Sequence, residues 1–105
     1  MSGARIVYAT APDLDTARRI ARPLLEEKLI ACANLFPGME SLYAWDGEIE
    51  AGHEVVLILK TWTDRVDALL KRLEELHPYE TPCGLVLTVD SGLPDYLAWI
   101  EGETR

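Results

Sequence analysis

The sequence predicts an α+β protein in which two helices cover one face of a four-stranded antiparallel sheet and a short C-terminal helix follows. Segments with strand patterns and segments with helical spacing alternate in the order strand, helix, strand, strand, helix, strand. The dipeptide Asp46-Gly47 separates the two central strand segments, which is a strong hairpin signal. The chain has 105 residues, 49% of them apolar, which indicates a single domain over residues 1–105 with an apolar core.

The first half of the chain is predicted to form a strand, a helix and a second strand. Residues 5–10 are rich in β-branched side chains, as is typical of a buried strand. Asp13 can accept hydrogen bonds from the first free N–H groups of the helix that follows, and Pro23 predicts a kink within that helix. The second strand is expected over residues 33–45, with a bulge or bend near Pro37-Gly38.

The second half repeats this unit after the hairpin. A third strand is expected over residues 48–62, and Thr63-Asp64 can cap the helix that follows it. His77-Pro78 ends this helix, residues 85–90 form the fourth strand, and Pro94 suits the first turn of the final helix. A doubled split βαβ unit of this kind is the ferredoxin-like sandwich, and right-handed crossovers give the spatial strand order 4-1-3-2.

The third strand is apolar on both of its faces. Val55, Leu57 and Leu59 alternate with Val56 and Ile58, whereas a sheet covered on one side only should alternate apolar with polar residues. The second face therefore needs a cover. Either the sheet of another subunit or the C-terminal helix can supply it.

Charge and missing signals exclude several classes of function. The formal net charge is −8, from 18 acidic and 10 basic side chains, which opposes binding to nucleic acid phosphates. The carboxylate excess suits either cation binding or simple solubility. No apolar run approaches the roughly 20 residues needed to span a bilayer, and the N-terminus lacks signal-peptide features. We therefore expect a soluble, cytoplasmic protein that binds neither membrane nor nucleic acid.

Enzyme signatures are also lacking in the sequence. It contains no Gly-rich phosphate loop, no nucleophile elbow and no His-Glu-x-x-His motif. Acylphosphatases share the predicted fold, but their arginine-bearing anion loop after the first strand is replaced here by residues 9–12. We therefore expect no catalysis. A hydrolase of small phosphorylated compounds that uses Lys60 or His77 is kept as one of three functional hypotheses, and the other two are given below.

Short motifs are spread over almost the whole chain: residues 10–13, 27–34 and 41–47, Glu54, Lys60-Thr61, and residues 77–82 and 95–99. Taken in this order, they make the chain similar to the CutA family of divalent-cation tolerance proteins. The resemblance implies a ferredoxin-like trimer whose sheets pack around a three-fold axis. It also implies association with tolerance of copper and other divalent cations. Cys83 and Gly84 depart from the pattern, since the family usually has a glutamate and a β-branched residue there.

Three residues are candidate metal ligands: Cys32, His77 and Cys83. An imidazole paired with a thiolate suits copper or zinc, and Glu80 can add an oxygen ligand. Alternatively, His77 caps a helix C-terminus in its charged form, and Cys32 is a small core residue. The predicted topology places Cys32 at the opposite end of the sheet from His77, so a shared site requires a neighbouring subunit.

A second set of residues is predicted to bind a ligand between subunits. The resemblance implies that the polar and aromatic residues of the family gather around intersubunit clefts, while simple aromatic packing at an interface is the alternative. Lys60 can bind an anion or pair with Glu54 of another chain. The candidates are Tyr43, Trp45, Glu54, Lys60, Tyr79 and Glu80.

Besides the hydrolase, the sequence supports two functional hypotheses. The first is a homotrimeric, non-catalytic binding protein for divalent metal (copper) tolerance, which requires no cofactor but can bind Cu²⁺ or another divalent cation. The alternative is a trimeric signalling or adaptor protein that binds a small anionic metabolite or a protein partner in the clefts.

Overall fold

The computed structural model describes residues 2–105, which form a four-stranded sheet with helices. The strands lie in the order β2-β3-β1-β4 and all pairs are antiparallel, so the predicted order 4-1-3-2 and the ferredoxin-like fold class are confirmed. None of the described helices is long and apolar enough to cross a membrane. The elements are β1 (Ala4–Ala11), α1 (Leu14–Glu26), β2 (Cys32–Trp45), β3 (Glu48–Trp62), α2 (Val66–Leu76), β4 (Gly84–Thr88) and α3 (Pro94–Glu103).

One face of the sheet packs against α1 and α2. Val7 of β1 is opposite Leu59 of β3, and side chains that are opposite one another in an antiparallel pair share a face. Both are fully buried, together with Leu24 of α1 and Leu69 of α2. The main apolar core therefore lies between these two helices and the central strands.

The β2–β3 hairpin confirms the predicted turn and bulge. Asp46 and Gly47 have φ values of 51° and 79°, which is the left-handed conformation that a tight two-residue hairpin turn requires. The pairing register shifts between Phe36 and Met39, because β2 uses one residue more than β3 there. The bulge bends β2 between the core of the sheet and the tip of the hairpin.

The start of α1 agrees with the prediction, and the start of α2 does not. The Asp13 carboxylate accepts a hydrogen bond from the Thr16 backbone N–H at 2.7 Å, and α1 continues as a single helix through Pro23. The predicted cap of the second helix by Thr63-Asp64 is wrong. A 3₁₀ turn precedes α2, whose start has no side-chain cap, and the Asp64 carboxylate instead pairs with Arg105 at 2.9 Å.

The second face of the sheet is only partly covered by α3. Ile100 of this helix packs with Ala4 and Trp62 at one end of the face. Apolar side chains elsewhere on that face are exposed, including Phe36, for which 69% of the surface is accessible. The C-terminal helix thus covers one end of the face and leaves the rest without a cover. We call this remainder the open face, made of Ile6, Tyr8, Phe36, Val56, Ile58, Leu85 and Leu87.

Candidate functional site

A cavity of about 660 Å³ lies between the β2–β3 hairpin and the loop that joins α2 to β4. The hairpin supplies residues on one side, and the loop after His77 supplies residues on the other. This cavity is called the pocket below. Five of the six predicted ligand-binding residues line it: Tyr43, Trp45, Glu54, Tyr79 and Glu80.

The register of the hairpin determines which of its side chains reach the pocket. Tyr43 is opposite Glu50, and Trp45 is two residues further along β2. Because side chains alternate along a strand, Tyr43 and Trp45 lie on one face, as do Glu50 and Glu54. Glu50 and His53 also line the pocket but were not predicted. Counting residues back from the Asp-Gly turn would have placed Glu50 opposite Tyr43.

His77 fastens the loop to the first strand. Its ring is buried, with Nε2 2.6 Å from the Thr10 carbonyl oxygen and Nδ1 3.1 Å from the Tyr79 backbone nitrogen. Nδ1 must accept the hydrogen bond from the Tyr79 N–H, so Nε2 carries the proton and donates to Thr10. The imidazole is therefore neutral, with both nitrogens in use. A metal can bind His77 only if one of these two bonds breaks.

The pKa values of Tyr79 and Cys83 are both raised in the pocket, first by partial burial and then by the charge of Glu54. The Tyr79 hydroxyl donates to Oε2 of Glu54 at 3.2 Å. Partial burial, followed by the charge and the hydrogen bond of Glu54, raises the pKa of Tyr79 to about 12. Partial burial, and then the charge of Glu54, also raises the pKa of the Cys83 thiol. Cys83 is therefore held as the neutral thiol, which is a poorer ligand and nucleophile than the thiolate.

Cys32 lies at the opposite end of the sheet from the pocket, as the topology predicted, and Lys60 lies beside it. They are paired across β2 and β3, far along the strands from the hairpin tip. The Lys60 ammonium donates to the Tyr96 hydroxyl at 3.1 Å and lies 5.3 Å from the centre of that ring. Lys60 does not line the pocket. Within the chain from residue 2 to 105, no three His, Cys, Asp or Glu side chains are placed to hold a metal ion.

These features define the chain as a ferredoxin-like α+β domain with a long central hairpin and an acidic, aromatic pocket at one end. The family model described as CutA1 divalent ion tolerance protein matches residues 5–103. The chain therefore belongs to the CutA1 family.

Relatives of known name and structure agree with this assignment. The divalent-cation tolerance protein CutA of Escherichia coli K12 is 49% identical over 100 residues, which cover 95% of this chain and 89% of the relative. CutA from Xylella fastidiosa, whose crystal structure is known, is 41% identical in sequence to this chain. The two structures superpose with a TM-score of 0.96 over 99% of this chain and 100% of that one. The periplasmic divalent cation tolerance protein CutA of Archaeoglobus fulgidus is 38% identical with a TM-score of 0.94, covering 97% and 99%.

Proposed function

We propose that this protein is a non-catalytic, homotrimeric binding protein that contributes to tolerance of divalent cations, copper among them. Membership of the CutA1 family supports the association with divalent cations, because the relatives carry that tolerance in their names. The relative from Archaeoglobus fulgidus is described as periplasmic, so the cytoplasmic location expected from the sequence stays a prediction.

The open face is the observation that carries the proposal of an oligomer. Phe36, Leu85 and Leu87 are 69%, 61% and 52% exposed, although each is a large apolar side chain. A contiguous apolar surface of this kind usually marks an interaction site. Packing the open faces of several copies against one another removes this surface from water, and a closed ring satisfies every copy equally. The number three comes from the resemblance to the family.

A divalent cation would then bind between subunits rather than within one. A single copy offers no group of three donor side chains over its described residues, and His77 already uses both ring nitrogens. Cys32 lies far from Cys83 along the sheet, so the two thiols meet only if they come from different copies. Copper uptake is therefore expected to depend on the assembled trimer.

Native mass spectrometry of metal-stripped protein, alone and with stoichiometric copper, tests both parts. Leu85→Asp places a charge on the open face and is expected to convert the trimer to monomer and to abolish copper uptake. Leu93→Asp is the matched control, since Leu93 is 79% exposed outside that face. It should leave a trimer that takes up copper in multiples of three. A monomeric wild-type protein refutes the trimer, and a trimer that ignores copper refutes direct metal binding.

The pocket favours a second candidate function, the sensing of a small ligand. A cavity of about 660 Å³ lies within the range of small-molecule sites, and its lining combines aromatic rings with a few polar groups. This function corresponds to the signalling alternative and is compatible with the trimer.

A further inference from the structure

We propose that the pocket binds a small organic cation, such as a primary ammonium or a guanidinium compound, and not an anion. This rests on the proposed ligand-sensing function and specifies the chemical class of its ligand. The cation would lie against the aromatic rings of Tyr43, Trp45 and Tyr79, and its N–H groups would donate to the carboxylates of Glu50 and Glu54.

The charges around the pocket oppose an anion. Glu50, Glu54 and Glu80 line it, and none of the described residues in its wall is lysine or arginine. Lys60, which was expected to bind an anion or to pair with Glu54 of another chain, donates to Tyr96 at the other end of the sheet. An anion in the pocket would face three carboxylates with His53 as the one basic side chain in the described wall, whereas a cation would be attracted by all three carboxylates.

The aromatic side chains provide the second half of the recognition. Tyr43, Trp45 and Tyr79 are 45%, 48% and 36% exposed, so part of each ring remains free to contact a ligand. The faces of Trp and Tyr rings attract cations, most strongly when water is excluded. The hydrogen bond from Tyr79 to Glu54 holds one carboxylate beside one ring. Ring and carboxylate can thus act on the same cationic group.

The same geometry favours an organic cation over a metal ion. A bound Ca²⁺ or Mg²⁺ needs several oxygen ligands at about 2.0–2.6 Å, converging on one point. The described acidic, cysteine and histidine side chains of one chain form no such group. An ammonium or guanidinium group has several N–H donors that spread over a larger volume, so separated carboxylates can each accept one.

The experiment uses the full-length protein in its native assembly, with 1,4-diaminobutane as the cationic probe. Butane-1,4-diol and butanedioate are the neutral and anionic probes of similar length. All three compounds are tested at about 0.15 M ionic strength, because salt at this concentration screens long-range electrostatic attraction. The indole N–H resonances in ¹H–¹⁵N spectra report the site. Of the three tryptophans, Trp45 alone lines the pocket. The resonances of Trp62 and Trp99 therefore serve as internal controls.

Saturable movement of the Trp45 resonance by the diamine alone is the expected result. Glu54→Gln should weaken the apparent affinity about tenfold, the typical effect of losing one charged hydrogen bond. Trp45→Leu should weaken it as well, and because this variant lacks the reporting indole, its affinity is measured by isothermal titration calorimetry beside the wild type. Trp99→Leu is the matched control and should leave the affinity unchanged. Binding of butanedioate without the diamine overturns the cation assignment and leaves ligand sensing standing. If no probe shifts the Trp45 resonance, both the cation assignment and ligand sensing in this pocket are refuted. The tests of the trimer and of copper binding do not depend on this result.

Discussion

Replacing His77 with alanine tests whether this buried imidazole holds the wall of the pocket in place. The residue directly follows α2, and its ring bridges Thr10 of β1 and the Tyr79 backbone. Alanine removes both side-chain hydrogen bonds. It also leaves a space where a ring with 7% exposure was packed.

The magnitude follows from these two bonds. A hydrogen bond contributes about 1 kcal/mol net, and a buried partner left unsatisfied costs about 1–3 kcal/mol. The Tyr79 N–H borders the open pocket and can regain water, whereas the Thr10 carbonyl is buried under the ring. We therefore expect His77→Ala to lower the free energy of unfolding by about 3 kcal/mol, a large part of the 5–15 kcal/mol typical of a domain.

Urea denaturation at a fixed protein concentration measures the loss, since oligomer stability depends on concentration. His53→Ala is the matched control, because His53 is exposed on β3 and should change stability by no more than about 0.5 kcal/mol. His77→Gln and His77→Asn each replace one of the two bonds and should fall between the extremes. Equal losses in His77→Ala and His53→Ala would refute the bridging role.

Two further predictions concern Tyr79 and Thr61. The pKa of Tyr79 is raised from 10.0 to about 12, so its contribution to stability is fully present below pH 10 and is lost as the pH rises through about 12. Ultraviolet titration should show one tyrosine ionising near pH 12 that disappears in Tyr79→Phe, and an unchanged titration would contradict this. Thr61 is fully buried and its hydroxyl donates to the Leu29 carbonyl at 2.7 Å. Thr61→Val should therefore lower the free energy of unfolding by about 1–2 kcal/mol in urea, against little change for the exposed control Thr63→Val.

Local signals account for the parts of the protein that could be predicted before its structure was known. Alternation and helical spacing depend only on neighbouring residues, so the order of elements follows directly from the chain. Asp46-Gly47 requires a left-handed turn, and the turn then aligns Tyr43 with Glu50 by counting. The handedness of crossovers limits the strand order to the one observed. The same rules placed Cys32 at the opposite end of the sheet from His77.

Contacts between distant parts of the chain decided the rest. The sequence spacing indicated His77 as a helix end or a metal ligand, but its ring bonds the carbonyl of a residue 67 positions away. Asp64 was expected to cap a helix and pairs instead with Arg105, 41 positions later. The part of the sheet that α3 covers depends on where Ile100 packs against Ala4 and Trp62. Such contacts form only where folding places complementary groups together, because hydrogen bonding and apolar burial depend on distance in space and not on separation along the chain.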